Sequence, residues 1–132
     1  MPLLNQEAMM VAARTVELFA TTADYLVYQP GDHIFEMGSV GEVMYGVIEG
    51  TVELHVNGQV VEVIEVGDVF GEGALVQPSR LRASTAIAKT PCKLAAIDEN
   101  RLKFLIENTP NFALEVMRSF SNRLRKFKEN LA

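Results

Sequence analysis

Between residues 25 and 97 every short run of β-forming residues is stopped by a turn signal, and that punctuation leaves few folds open. Tyr25-Leu26-Val27-Tyr28 ends at Pro30-Gly31-Asp32, residues 33–35 at Gly38-Ser39-Val40-Gly41, and residues 43–48 at Glu49-Gly50. Pro presets φ, Gly accepts positive φ and Asp bonds nearby backbone, so each cluster turns the chain for a physical reason. Residues 51–56 alternate, with Val52, Leu54 and Val56 on one face and Thr51, Glu53 and His55 on the other. That is a strand with one buried and one wet side. Asn57-Gly58 suits the two positive-φ positions of a tight hairpin turn, and residues 59–66 return as the partner strand. Glu62 and Glu65 break its two-residue phase, which predicts a bulge or twist. Gly67-Asp68 then turns into Val69-Phe70, and residues 83–88 and 93–97 read as two further strands around Thr90-Pro91. Short strands spaced roughly ten residues apart predict an antiparallel sandwich or barrel.

Helical patterns flank this region. Residues 5–19 carry Ala8, Val11, Ala12, Thr15, Leu18 and Phe19 at three- and four-residue steps, with Asn5 as the cap. Asp98 caps a second helix bearing Leu102, Leu105 and Ile106, which Asn108-Thr109-Pro110 stops. Ala113, Met117, Phe120, Leu124, Phe127 and Leu131 form a heptad seam on a long last helix. The expected fold class is therefore α+β, an antiparallel β-structure with an N-terminal helix and two C-terminal helices. At 132 residues the chain reads as one domain, with helical segments at 1–23 and 98–132 around a β-region at 24–97.

The formal net charge of −5 argues against general attraction to nucleic acid or an anionic membrane. No run of about 18 uncharged apolar residues exists to span a bilayer. Cys92 is the single cysteine and no secretory signal is visible, so a cytoplasmic location is expected. His33 and His55 lack the clustered companions of a cupin-type metal site, and no metal is expected. No Ser-His-Asp or Cys-His arrangement is present and Cys92 beside Pro91 reads as packing, so no enzymatic activity is expected.

The stretch FGEGALVQPSRLRAST, residues 70–85, carries the chemistry. Gly71-Glu72-Gly73 leaves backbone N–H groups uncovered ahead of the short run Ala74-Leu75-Val76, and Arg82 follows Glu72 by ten residues. One acid and one arginine around such a turn suit a small anion that also carries a sugar hydroxyl. A structural Glu72–Arg82 salt bridge is the competing reading.

The stretch Gly71-Glu72-Gly73-Ala74-Leu75 through Arg82-Ala83-Ser84 resembles the phosphate-binding cassette of the cyclic-nucleotide-binding domain. That family includes the catabolite activators, cyclic-nucleotide-dependent kinases and gated channels. The likeness extends over roughly residues 24–130, and Pro30-Gly31-Asp32 and Gly50 fall where the family has equivalent glycines. It implies an eight-stranded, jelly-roll-like β-roll with a short cassette helix. It further implies that Glu72 accepts from a ribose 2′-OH, and that Arg82 clamps the cyclic phosphate with a bidentate fork. Backbone N–H groups around Gly71, Glu72, Gly73 and Ala74, with that of Ala83, would meet the same phosphate, and Ser84 adjoins them. The last helix would lie over the base, with Arg123, Arg125 or Phe127 as contacts; the competing reading of Arg118, Arg123, Arg125, Lys126 and Lys128 is a solvated face whose cations suit a helix C-terminus.

Two positions depart from the family pattern. Gly73 replaces a larger aliphatic residue, which predicts a looser cassette helix. Ala83 stands where cGMP-selective members carry Thr or Ser, which favours cAMP while leaving cGMP possible. The resemblance implies a sensor that moves its last helix and acts on a downstream effector. The heptad seam on that helix suits packing on the β-core, on a twin helix or on both, and a homodimer through it is expected. The transcription regulators continue past this helix into a DNA-binding domain, so a chain ending at Ala132 is expected not to read DNA directly. The alternatives are a non-binding structural or dimerisation domain of the same fold, or a module for a different small anion.

Overall fold

The computed structural model describes residues 25–131; the helix expected over residues 5–19 lies outside them. Strands β1 (Tyr25–Tyr28), β2 (His33–Phe35), β3 (Val43–Glu49), β4 (Val52–Val56), β5 (Gln59–Ile64) and β6 (Val69–Phe70) precede a one-turn helix, α1 (Gly73–Val76). Strands β7 (Thr85–Ala88) and β8 (Cys92–Asp98) lead into helices α2 (Glu99–Asn108) and α3 (Pro110–Asn130). The eight strands form two four-stranded sheets, β1-β8-β3-β6 and β2-β7-β4-β5, and every described pairing is antiparallel. This is the β-roll with C-terminal helices that the sequence predicts.

The β4–β5 hairpin shows why the local signals were readable. Asn57 and Gly58 adopt φ of 51° and 80°, the pair that lets the turn follow the twist of its strands. The phase break in β5 is a bulge. Leu54 faces Glu62 and His55 faces Val60, which leaves Val61 as the extra residue. Cross-strand partners share a face, so the bulge keeps Glu62 on the side of buried Leu54.

Two apolar clusters hold the roll. Between the sheets lie Tyr45, Val47, Val52, Leu54, Ile64, Phe70, Ala86, Ala88, Cys92 and Leu94. On the outer face of the first sheet, Met44, Val69, Ala95 and Ile97 meet Leu105 of α2 and Phe112 of α3. Strands β3, β6 and β8 therefore bury both faces, which is why they read as continuous apolar runs while β4 alternates.

Asp98 caps α2 by accepting from the Arg101 N–H at 2.8 Å. Pro110, expected only to stop that helix, also occupies the first turn of α3, where its missing N–H costs nothing. The apolar seam expected on α3 is divided between two faces. Phe112, Val116 and Phe120 pack onto the sheet at four-residue steps, whereas Leu114, Met117, Leu124 and Leu131 point outward. A helix lying on a flat sheet buries one stripe of its surface, so a single seam cannot contain all of its apolar residues.

Phe70 is fully buried and touches the rings of Tyr45 at 5.3 Å and Phe35 at 6.1 Å. Urea denaturation should show Phe70→Ala to be about 3–5 kcal/mol less stable. Val27→Ala, at an exposed position, should stay within about 0.5 kcal/mol of the parent.

Candidate functional site

Arg82 is placed by a pairing that joins two loops. The Arg82 N–H donates to Ser39 O at 2.8 Å, Gly38 N–H to Arg82 O at 2.8 Å, and Gly41 N–H to Arg80 O at 2.9 Å, around a Val40–Leu81 bridge. Arg80 takes a left-handed φ of 58°, which closes the cassette loop onto this bridge. From there the Arg82 side chain runs inward and is only 6% exposed. Nη1 donates to Gly71 O at 2.8 Å, Nη2 donates to Val43 O at 2.7 Å, and the guanidinium lies 4.1 Å from the centre of the Phe35 ring.

Two side-chain bonds use two of the five guanidinium donors, and the buried Nε–H has no acceptor among the described residues. Burial draws the Arg82 pKa below its ordinary value, against the upward pull of Tyr45 and Glu72. A buried cation held only by carbonyls and an aromatic face is incompletely compensated. The site favours an anion.

Two glycines make room for this side chain. A Cβ on Gly41 would sit 2.3 Å from Arg82 Nε, and one on Gly71 would sit 2.9 Å from Arg82 Nη1. Gly71 also adopts φ +78°, a conformation that side chains rarely take. Gly73 is different: a Cβ there would meet only Gln77 Cγ, at 3.8 Å. Space therefore demands the glycine before Glu72 and not the one after it. The short helix forms despite Gly73, with Leu75 N–H on Glu72 O at 2.8 Å and Gln77 N–H on Gly73 O at 3.0 Å.

Glu72 precedes that helix without capping it, and its carboxylate has no partner among the described residues. The expected alternative, a Glu72–Arg82 ion pair, is not formed. The N–H groups of Glu72 and Gly73 likewise meet no acceptor among the described residues.

Gly71, Glu72, Gly73, Ala74, Arg82, Ala83, Ser84 and Arg123 all border one cavity of about 120 Å³. Phe127 lines an adjoining cavity of about 320 Å³, with Val61, Phe120 and Leu124. Glu62, Glu72 and Arg123 border both. The Arg123 side chain is 12% exposed and already engaged: Nε donates to Glu62 Oε1 at 2.9 Å and Nη1 donates to Val69 O. A half-buried cation takes the nearest carboxylate, so Arg123 is tied to Glu62 of β5 and Val69 of β6 as well as facing the cavity.

Sequence reasoning missed Phe35, Leu54, Glu62, Leu81 and Gly41. Glu62 had left a signal, since it is the acid that broke the β5 alternation. Gly41 and Phe35 left none, because their contacts with Arg82 cross more than 40 residues of chain.

A model of the family described as the cyclic nucleotide-binding domain matches residues 25–109, and the chain belongs to that family. Among curated relatives, it is 26% identical over 116 residues to the cAMP-activated global transcriptional regulator CRP of Pasteurella multocida, covering 84% of this chain and 56% of that protein. It is 36% identical over 95 residues to the cAMP-dependent protein kinase regulatory subunit of Schizosaccharomyces pombe, covering 71% of this chain and 22% of the other. The chain thus spans about half, or less, of the length of these relatives. Among solved structures, the c-di-GMP responsive global regulator CLP of Xanthomonas campestris superposes with a TM-score of 0.74 at 25% identity, over 89% of this chain and 61% of that one. The catabolite activator protein of Thermus thermophilus gives 0.67 at 26%, over 95% and 57%.

Gly41→Ala should cost about 1–3 kcal/mol in chemical denaturation, because the new methyl overlaps the Arg82 guanidinium. In an Arg82→Ala background the same change should cost under about 1 kcal/mol. Equal costs in both backgrounds would place the strain elsewhere.

Proposed function

We propose that the chain is a regulatory module that binds a cyclic nucleotide, cAMP in preference to cGMP, and that its last helix carries the signal. The observation that carries this reading is Arg82, a buried guanidinium whose Nε–H meets no acceptor among the described residues, beside a turn whose first N–H groups and carboxylate make no hydrogen bond among them. The cyclic phosphate takes Arg82 and the N–H groups around Gly71, Glu72, Gly73, Ala74 and Ala83, while the ribose 2′-OH donates to Glu72. The base extends into the adjoining cavity, against Phe127 and beside Arg123. Ala83 offers no hydroxyl to the 2-amino group of guanine, which favours adenine. Ser84, one residue on, borders the same cavity. The names of both curated relatives carry cAMP, which supports that choice.

Binding would favour the α3 position that closes the cavity, a two-state switch driven by differential affinity. The outward row Leu114, Met117, Leu124 and Leu131 repeats at three and seven residues, the spacing of a helix that pairs with a second copy. A homodimer through α3 follows. The role assigned here is regulatory, acting on an effector protein and involving no chemical step on the ligand.

A thermal melt tests the ligand. Saturation at about 100 times Kd stabilises by about 2.7 kcal/mol, so cAMP should raise Tm by several degrees and cGMP by less. Arg82→Ala should abolish the shift, and Arg82→Lys should not restore it, because a point charge cannot replace the fork. No shift with millimolar cAMP, cGMP or c-di-GMP would leave the module without a nucleotide, and a shift with inorganic phosphate alone would favour the plain anion site.

Light scattering at micromolar concentration tests the assembly. The expected mass is twice that of the chain, falling to one chain in a Met117→Asp/Leu131→Asp variant that keeps the circular dichroism spectrum of the parent. A parent that is already monomeric would refute pairing through α3.

A further inference from the structure

Asp68 is a buried acid to which the proposed binding chemistry gives no part. It is 2% exposed, and Ser119 of α3 is fully buried against it. The Ser119 hydroxyl donates to Asp68 Oδ1 at 2.8 Å, across 51 residues of chain. The other carboxylate oxygen closes the β5–β6 turn by accepting from the Glu65 N–H at 3.1 Å. One turn along α3, on the same face as Ser119, Arg123 donates to the carbonyl of Val69, the residue after Asp68. Burial raises the Asp68 pKa despite the Glu65 N–H, the Ser119 hydroxyl and the Arg123 charge; the Glu65 carboxylate adds to the rise. Such a group is costly to keep in the interior unless its partners stay in place.

The chain that leaves Asp68 reaches Arg82 at once. Val69 takes Arg123, Phe70 stacks on Tyr45 and meets Phe35 at a tilt, and Gly71 O accepts from Arg82 Nη1. From Asp68 to Gly71 is three residues, about 10 Å of extended backbone. Strand β6 is thus bonded to α3 at its start and to the Arg82 guanidinium at its end. Phe70 is immobilised between two rings, which leaves β6 little freedom to absorb a shift at either end.

We propose that Asp68 and Ser119 are positioning residues that join α3 to the cassette through β6, so that a displacement of the helix is felt at the Arg82 guanidinium. Neither touches the ligand. Their effect is to set where Gly71 O, and with it Arg82, stands when α3 is docked.

The free protein supplies a direct readout, because the buried Arg82 Nε–H is open to nitrogen-edited NMR. In Ser119→Ala, and separately in Asp68→Ala, which leaves no side-chain group to bond Ser119, exchange of that proton should accelerate about tenfold, together with the amides of α3 around residue 119. The amides of β4, in the opposite sheet, should keep their rates, as should every site in Ser121→Ala, whose exposed side chain makes no described bond. An Arg82 proton that is unaffected while α3 loosens would overturn the coupling. So would equal acceleration in β4, which would mean plain destabilisation.

A second arm rests on the ligand reading given above. Each single variant should weaken cAMP binding about tenfold, and the double variant no more than Asp68→Ala alone, since that change already removes the Ser119 bond together with the Glu65 one. Losses that add would overturn the proposal. Failure of the parent to bind any cyclic nucleotide would count against the ligand reading instead, and the exchange measurement would then decide the coupling by itself.

Discussion

The guanidinium of Arg82 is the point on which the cassette turns. Taking a cation out of water costs several kcal/mol unless its donors are met, and here the surroundings meet only part of the need. Carbonyls of Gly71 and Val43 and the face of Phe35 hold it from three sides. Each of these comes from a different strand or loop, so the position of one side chain depends on how β2, β3 and β6 are packed. The missing Cβ atoms at Gly41 and Gly71 belong to the same arrangement. Without them the guanidinium would be displaced toward solvent, where it would gain water and lose its fixed aim.

The two-sided burial of the first sheet explains how this geometry is shared with the helices. Residues of β3, β6 and β8 alternate between the interior of the roll and the underside of α2 and α3. Phe70 faces inward to Tyr45 while Val69 faces outward to the helices, although they are neighbours in a two-residue strand. A movement at the outer face therefore has no compliant layer to dissipate it. Close-packed interiors transmit displacement because they contain few voids in which to lose it.

Much of this was legible in the sequence because the determining signals are local. The Asn57-Gly58 turn, the Asp98 cap and the Glu72-to-Arg82 spacing lie within short windows, and each has a mechanism that needs no distant partner. What could not be read depends on contacts across the chain. The division of α3 into a docked stripe and an outward row needed the sheet beneath it. Gly41 looked like an ordinary loop glycine, and only its approach to Arg82 shows why a methyl group is excluded. Glu62 was visible as an irregularity but not as a cavity residue, since an acid on a strand carries no mark of which face the bulge will give it. Arg123 was expected over the base, and its bond to Glu62 could not be foreseen from residues 61 positions apart.

Charge accounting within the joined cavities narrows what can occupy them. Two arginines and two glutamates line them, and Arg123 is already neutralised by Glu62. The remaining pair is unequal in setting: Arg82 is buried with its Nε–H unmet among the described residues, while Glu72 is half-buried, feels the Arg82 charge and makes no hydrogen bond or ion pair among those residues. A bare phosphate or sulfate would satisfy the first and be repelled by the second, in a region where low dielectric strengthens both effects. The carboxylate ceases to be an obstacle only if the incoming molecule also offers it a hydrogen-bond donor. An ionised carboxylate accepts and never donates, so the fitting ligand combines a single negative charge with an adjacent hydroxyl. A ribose closed by a cyclic phosphate has both on one rigid ring, and its base can then extend to the apolar side chains of α3. The unpaired Glu72 thus does more than mark a family pattern. On the proposed reading, it would turn a general anion pocket into one that discriminates against simple anions.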